Sequence, residues 1–306
     1  MKTLVTGGAG FIPSFLVESL VEKGHDVIVL DDFSIGYKKN LNNVLGDIEL
    51  IEDSVLNEAI LKELNPKVDK IYHCAVLSLE ESLENPEKVH EVNATGTLRM
   101  LKNFKDKLFY HISSSEIYGT AEASPMSEEH PTNPSTPYAV AKLCADRYAL
   151  AFFKAYNSKI WIIRPFNSFG PRQRCEIYGG VIPKFIKSLM QNKQPQIFGS
   201  GQQKRDYTYV SDIVEGIIKA SESEKLIGNA INLGSGEAYS VLDILGMVKK
   251  IMGKNVDPVF IGKREGDLDL LQADITKAKN VIGYHPKISF EQGLKKTVEW
   301  FKTEDS

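Results

Sequence analysis

Residues 2–12 read KTLVTGGAGFI, a β-branched run that stops at a glycine pair and restarts as an apolar helix. Gly7 and Gly10 let the backbone turn sharply after the strand and bring N–H groups of the next helix against a diphosphate. Taken alone, such a loop is a weak signal. It gains weight from residues 26–32, DVIVLDD, where Asp31 falls about 20 residues past the loop and can accept both hydroxyls of an adenosine ribose. Asp32 follows, an acid that would repel the 2′-phosphate of NADP, so the pair selects NAD. A GxxGxxG loop would carry glycine at position 13, and this chain has Pro13. That residue falls in the first helical turn, where a backbone N–H has no intrahelical acceptor. The loop is expected to survive it with a small shift in helix-to-strand packing.

Working outward, the runs KTLVT, DVIVL, DIELI, KIYHC, KLFYHI and IWIIR alternate with helical or loop segments. Helices are expected to begin near Phe11, Val55, Asn85 and Pro137, the last with Thr136 as N-cap. The alternation predicts an α/β fold, a Rossmann-type doubly wound parallel sheet. From Phe166 the spacing loosens and Pro/Gly joints multiply. The expected division is a dinucleotide-binding domain over 1–165, with return segments near 205–235, and a smaller C-terminal α/β substrate domain over 166–306. Residues 302–306, KTEDS, are expected to be a solvated tail.

The bulk composition sets limits on partners. With 306 residues, 42 % hydrophobic and 25 % charged, the chain can bury a large core. A net charge of −3 with scattered basic residues argues against nucleic acid. No apolar run approaches the ~20 residues of a membrane span, and no secretory signal pattern opens the chain, so a cytoplasmic location is expected. Cys74, Cys144 and Cys175 lie far apart without CxxC spacing, which argues against a metal site or a disulfide framework.

Two stretches carry chemistry. Residues 111–119, HISSSEIYG, close an apolar strand with three serines and a glutamate, and residues 136–142, TPYAVAK, put Tyr138 and Lys142 one helical turn apart. An ammonium at that spacing is expected to lower the phenol's pKa and favour a phenolate base. Glu116 stands two residues after Ser114, so in an extended strand both would face the same side and could reach one ligand.

With TGGAGFI, DDFS, HCA, NATGT, SSSEIYG, PYAVAK, RPFNSFGPRQ, GSGQQKRDYTYVSDI and REGD in this order, the chain resembles the extended short-chain dehydrogenase/reductases that act on nucleotide sugars. The resemblance implies NAD as cofactor, a nucleotide-diphosphate sugar as substrate, and Ser114, Tyr138 and Lys142 as a catalytic triad. It places cofactor contacts at Gly7, Gly10, Phe11, Ile12, Asp31, Asp32, Ser34, Gly36, Asp53 and Ser54. Further contacts fall at Cys74, Ala75, Val76, Asn93 and Pro165, with Tyr138 and Lys142. Substrate contacts fall on Ser78, Ser115, Asn167, Val181, Lys184, Arg205, Arg264 and Asp267, and loop 173–181 is expected to cover the ligand. His73 is expected to be structural. Related enzymes pair through a four-helix interface. A homodimer is therefore implied through the helices near Asn85 and Pro137, with Ala139, Leu143, Tyr148 and Leu150 as candidates.

All members of the family oxidise C4 of the sugar first. Glu116 matches the C5 base of the 4,6-dehydratases, which ranks that reaction first, 4-epimerisation second and uronate decarboxylation third. Ser115 stands where deoxythymidine-diphosphate-glucose dehydratases carry an aspartate as acid. PYAVAK departs from the CYDEGK type common among the decarboxylases. A catalytically silent NAD-binding sensor is the alternative from another class, against which the intact triad argues.

Overall fold

The six β-branched runs form parallel strands in the computed structural model, which describes residues 1–175, 180–263 and 266–304. They are β1 (Lys2–Thr6), β2 (Asp26–Asp31), β3 (Ile48–Glu52), β4 (Lys70–His73), β5 (Leu108–Ile112) and β6 (Ile160–Pro165). Across the sheet the order is Ala230–Leu233, β6, β5, β4, β1, β2, β3. Every neighbouring pair is parallel.

Both faces of this sheet are covered, which is why its strands read as near-continuous apolar runs. On one face Val5, Val29, Tyr72, Tyr110 and Ile163 pack against Leu16, Val17 and Leu20 of helix Phe11–Glu22 and Ile213 and Ile217 of helix Val210–Ser221. On the other, Leu4, Ile28, Ile71, Phe109 and Ile162 meet Leu61, Leu64, Met100, Phe104 and Ala149. The chain builds β1, β2 and β3 in one direction, then crosses to lay down β4, β5 and β6 on the other side of β1. The reversal leaves a crevice at the carboxyl ends of β1 and β4, the place where open α/β sheets bind ligands.

Helices start at Phe11 and Pro137 as expected, and the Thr136 side chain accepts the Ala139 N–H at 3.2 Å. One other start is displaced, and the fourth gains a neighbour. The helix expected near Val55 begins at Glu58, because Asn57 caps it through the Ala59 N–H. The one expected near Asn85 begins at Pro86 with Asn85 as its N-cap, and an additional short helix, Leu79–Glu84, capped by Ser78 through the Glu81 N–H, precedes it. The last helix, Phe290–Glu304, takes in residues 302–304 of the expected solvated tail, which are exposed but helical, and Glu304 pairs with Lys39 at 2.9 Å.

After β6 the chain forms a four-stranded sheet from Asn167–Phe169, Lys204–Tyr209, Ala238–Ser240 and Leu270–Leu271. A third apolar cluster, with Phe169, Phe185, Ile244 and Leu294, lies beneath it. Helix Val210–Ser221 and strand Ala230–Leu233 return to the large sheet, which interleaves the two halves of the sequence. Among the described residues, no helix is long and apolar enough to cross a membrane.

Candidate active site

One cavity of about 550 Å³ opens at the carboxyl ends of β1 and β4 and continues to the C-terminal half. Gly7, Gly10, Phe11, Ile12, Asp31, Asp32, Ser34, Gly36 and Asp53 form its first wall. Cys74, Ala75, Val76 and Ser78, from the segment after β4, form the opposite side. Ser114, Ser115, Glu116, Tyr138, Lys142 and Pro165 close the floor, and Asn167, Val181, Lys184, Arg205 and Asp267 line the far end.

The first wall fits a dinucleotide. Gly7 has φ of +67°, and a Cβ there would stand 2.8 Å from the Ala75 Cα, so only glycine lets the two loops meet. Gly10 caps helix Phe11–Glu22 without a side chain. The first intrahelical bond runs from Ser14 N–H to the Gly10 carbonyl at 3.1 Å, which leaves the N–H groups of Phe11 and Ile12 ahead of the ladder, as an anion site requires. Pro13 sits in that same turn, where it removes no helical bond.

Asp31 has a second task that spacing did not show. Its two oxygens accept the N–H groups of Ala9 and Phe33, each at 2.8 Å, tying the glycine loop to the end of β2. Burial raises its pKa, and these two bonds oppose the shift. Each oxygen keeps a lone pair for a ribose hydroxyl.

Two expected cofactor positions lie away from the cavity wall. The Asn93 side chain is buried and clamps Leu77, accepting its N–H at 2.8 Å and donating to its carbonyl at 3.0 Å. Ser54 turns its hydroxyl to the Leu56 N–H. Arg264 and residues 176–179 of the expected covering loop lie outside the described residues. His73 is buried between the hydroxyls of Thr6 and Thr97, at 2.8 and 3.0 Å, which suits a structural role.

Ser114 and Glu116 share the cavity for a reason other than strand alternation. The strand ends at Ile112, and Ser114 caps a tight turn, Ser115–Tyr118, through the Glu116 N–H at 3.2 Å. Tyr138 and Lys142 lie on one face of helix Pro137–Tyr156, with the Lys142 ammonium donating to the Ile112 carbonyl at 2.6 Å. Burial pushes the Tyr138 phenol up to about 12, only partly opposed by Ser114, while the carboxylates of Glu116 and Glu80 push it the same way. Burial likewise brings Lys142 down to about 8. The expected lowering of the phenol by Lys142 is not found: Ser114 is the group that lowers it, and desolvation outweighs that bond.

At the far end, Arg205 donates to Asp267 at 3.0 Å, and Gln203 reaches the other oxygen of that carboxylate at 3.3 Å. Tyr207 and Glu80 also line the cavity and were not anticipated. Period-two alternation from Arg205 along Lys204–Tyr209 would have found Tyr207. The S-x-x-E signature at Ser78–Glu81 would have placed Glu80 in a first helical turn.

A glycine loop with an acidic β2 end, facing a Ser–Tyr–Lys set whose lysine is buried, defines a dinucleotide-dependent oxidoreductase site for a hydroxyl-bearing substrate. Residues 4–297 match the GDP-mannose 4,6-dehydratase family. The chain belongs to the extended short-chain dehydrogenase/reductases, in the branch of NAD-dependent nucleotide-sugar epimerases, decarboxylases and dehydratases. UDP-glucuronic acid decarboxylase 1 of Xenopus tropicalis is 34 % identical over 314 residues, covering 99 % of this chain and 72 % of the relative. The Thermotoga maritima UDP-glucose 4-epimerase, solved with UDP-glucose, superposes with a TM-score of 0.96 at 32 % identity over all of both chains. The Streptomyces venezuelae dTDP-glucose 4,6-dehydratase, solved with NAD, gives 0.94 at 28 % identity, covering 99 % of this chain and 97 % of that one.

Proposed function

We propose that the chain is a nucleotide-diphosphate-hexose 4,6-dehydratase. The observation that carries this is the Glu116 carboxylate, which lines the same cavity as Ser114 and Tyr138 and bears electrostatically on the phenol. Tyr138 takes the proton of the sugar's 4-hydroxyl, with Ser114 hydrogen-bonded at the same oxygen and Lys142 balancing the phenolate. When bound, NAD⁺ supplies the oxidant that accepts hydride from C4 and later returns it. The resulting carbonyl acidifies the C5 hydrogen, which Glu116 removes and passes to the C6 oxygen as the C6–oxygen bond breaks, so that water departs; the hydride then returns to C6 and a solvent proton adds at C5. Arg205, oriented by Asp267, and Asn167 meet the diphosphate end.

A specific observation supports 4-epimerisation as the second reading. The residue before Glu116 is Ser115, only 3 % exposed, which offers no acidic proton to a leaving hydroxyl. Incubation with UDP-, GDP-, CDP- and dTDP-hexoses, followed by NMR of the products, separates the two. A dehydratase yields a 4-keto-6-deoxy sugar with solvent deuterium at C5, and its Glu116→Gln variant reduces NAD without losing water. A 4-epimer made equally well by both enzymes would replace this reading with epimerisation, and no product from any sugar would favour the sensor.

The chain is also proposed to pair with a second copy through helices Leu79–Glu84 and Pro137–Tyr156. Val140 is 49 % and Leu83 41 % exposed there, whereas the candidate Ala139 is fully buried within its own chain. Val140→Glu should convert a dimer to a monomer in sedimentation analysis.

A further inference from the structure

Behind the phenol and the ammonium, helix Pro137–Tyr156 carries a third charged group that the reaction described above does not use. Tyr138, Lys142 and Asp146 follow at four-residue steps, so they form one stripe along the helix. Asp146 is fully buried. One oxygen, Oδ2, lies 3.0 Å from both Nε and Nη2 of Arg164, and the other, Oδ1, lies 3.2 Å from His111 Nε2.

Arg164 is itself fixed. Its Nη1 donates to the Tyr118 hydroxyl at 2.8 Å, and that hydroxyl donates to Asn232 Oδ1 at 2.7 Å. The carboxylate is therefore clamped from β5 and β6 and cannot turn away. Although burial opposes ionisation, His111 and Arg164 hold Asp146 down to about 2.

Lys142 needs such a neighbour. Its buried ammonium donates to one neutral carbonyl, that of Ile112, and a full charge in the interior with so little compensation tends to lose its proton. The groups around it are His111 from β5, His73 and Cys74 from β4 and the segment after it, Arg164 from β6, and Tyr138 on its own helix. Burial keeps both histidines neutral and pushes the Cys74 thiol up to about 12. Glu80 and Glu116 bear on Tyr138 from the cavity side. Among these groups, Asp146 is the anion one helical turn from Lys142, and it is the main influence raising Lys142 against desolvation.

We propose that Asp146 is a positioning residue, whose carboxylate, locked by Arg164 and His111 one helical turn past Lys142, keeps the Lys142 ammonium charged. Its bearing on catalysis rests on Tyr138 acting as the base, whereas its effect on Lys142 does not.

The test is Asp146→Asn in the full-length enzyme with NAD, read by NMR of ¹³C-labelled lysine. Lys142 should titrate about one pH unit or more lower than in the wild type, and the C4 oxidation rate relative to wild type should fall from near one at pH 6 to about a tenth at pH 9. Asp146→Glu should restore both. Because Asp146→Asn leaves the Arg164 charge buried without its partner, the double variant Asp146→Asn/Arg164→Met removes both charges and should still show the lowered Lys142. A folded single or double variant whose Lys142 titrates as in the wild type overturns the proposal. A lowered Lys142 with an unchanged rate at pH 9 would instead overturn Tyr138 as the base.

Discussion

Gly7 and Ala75 close the crevice between β1 and β4, with the Ala75 Cα 2.8 Å from the place a Cβ on Gly7 would occupy. The loop after β1 and the loop after β4 can meet only because residue 7 has no side chain and adopts φ of +67°. Gly7→Ala should push the loops apart. NAD affinity is expected to fall by about a hundredfold, roughly the 2–3 kcal/mol cost of strain and displaced phosphate donors. Calorimetric titration with NAD, alongside circular dichroism to confirm the fold, measures it.

Pro13 lies against the same loop, its Cγ 3.2 Å from where a Cβ on Gly10 would stand. It gives up an N–H ahead of the first intrahelical bond and so gives up nothing the helix uses. Pro13→Gly should leave NAD affinity within a few-fold. A gain of several orders of magnitude would mean that the ring obstructs the cofactor.

Tyr138 and Ser114 should separate binding from chemistry. Tyr138→Phe removes the proton acceptor and should lower kcat by about 10²–10⁴ with NAD binding intact. Ser114 is the group that pulls the phenol's pKa down against burial. Ser114→Ala should therefore move the acid limb of the pH–rate profile to higher pH as well as slow the reaction, and stopped-flow NADH absorbance across pH reads both effects.

Asp146 links the site to acid stability. Its folded pKa of about 2 lies below its ordinary value of 3.8, so its contribution is present above pH 4 and lost as pH falls toward 2. The loss amounts to about 2 kcal/mol. Asp146→Asn should be less stable at pH 7 by about 3 kcal/mol, since Arg164 is left buried without its partner, and should show a flatter acid transition. Urea unfolding at pH 7 and pH 3 compares the two.

The sequence made the parallel sheet legible because strands buried on both faces leave unbroken β-branched runs, and because Thr136 and Pro137 mark a helix start by local chemistry alone. Glu80 lies in a short helix, Leu79–Glu84, that precedes the one expected near Asn85, and only the capping signal at Ser78 marks it in the sequence. Asn93 matched a family position, yet its amide is spent on Leu77, a contact across a fold no spacing rule encodes. The Tyr138 and Lys142 spacing was readable, but not the burial that raises the phenol, because burial comes from segments distant in the sequence. Ser114 and Glu116 were joined for the wrong reason, since a tight turn and not an extended strand brings both to the cavity.

Strand Ala230–Leu233 pairs with β6 only after an excursion of more than sixty residues. While the protein is being synthesised, β6 is thus the open margin of an unfinished sheet until residue 233 has left the ribosome. Its sequence, IWIIRP, has the apolar, β-branched character that recruits foreign strands. Nascent chains stalled between residues 166 and 229 should therefore depend on chaperones, and genetic dissection of the two halves should yield insoluble fragments that regain solubility only when co-expressed.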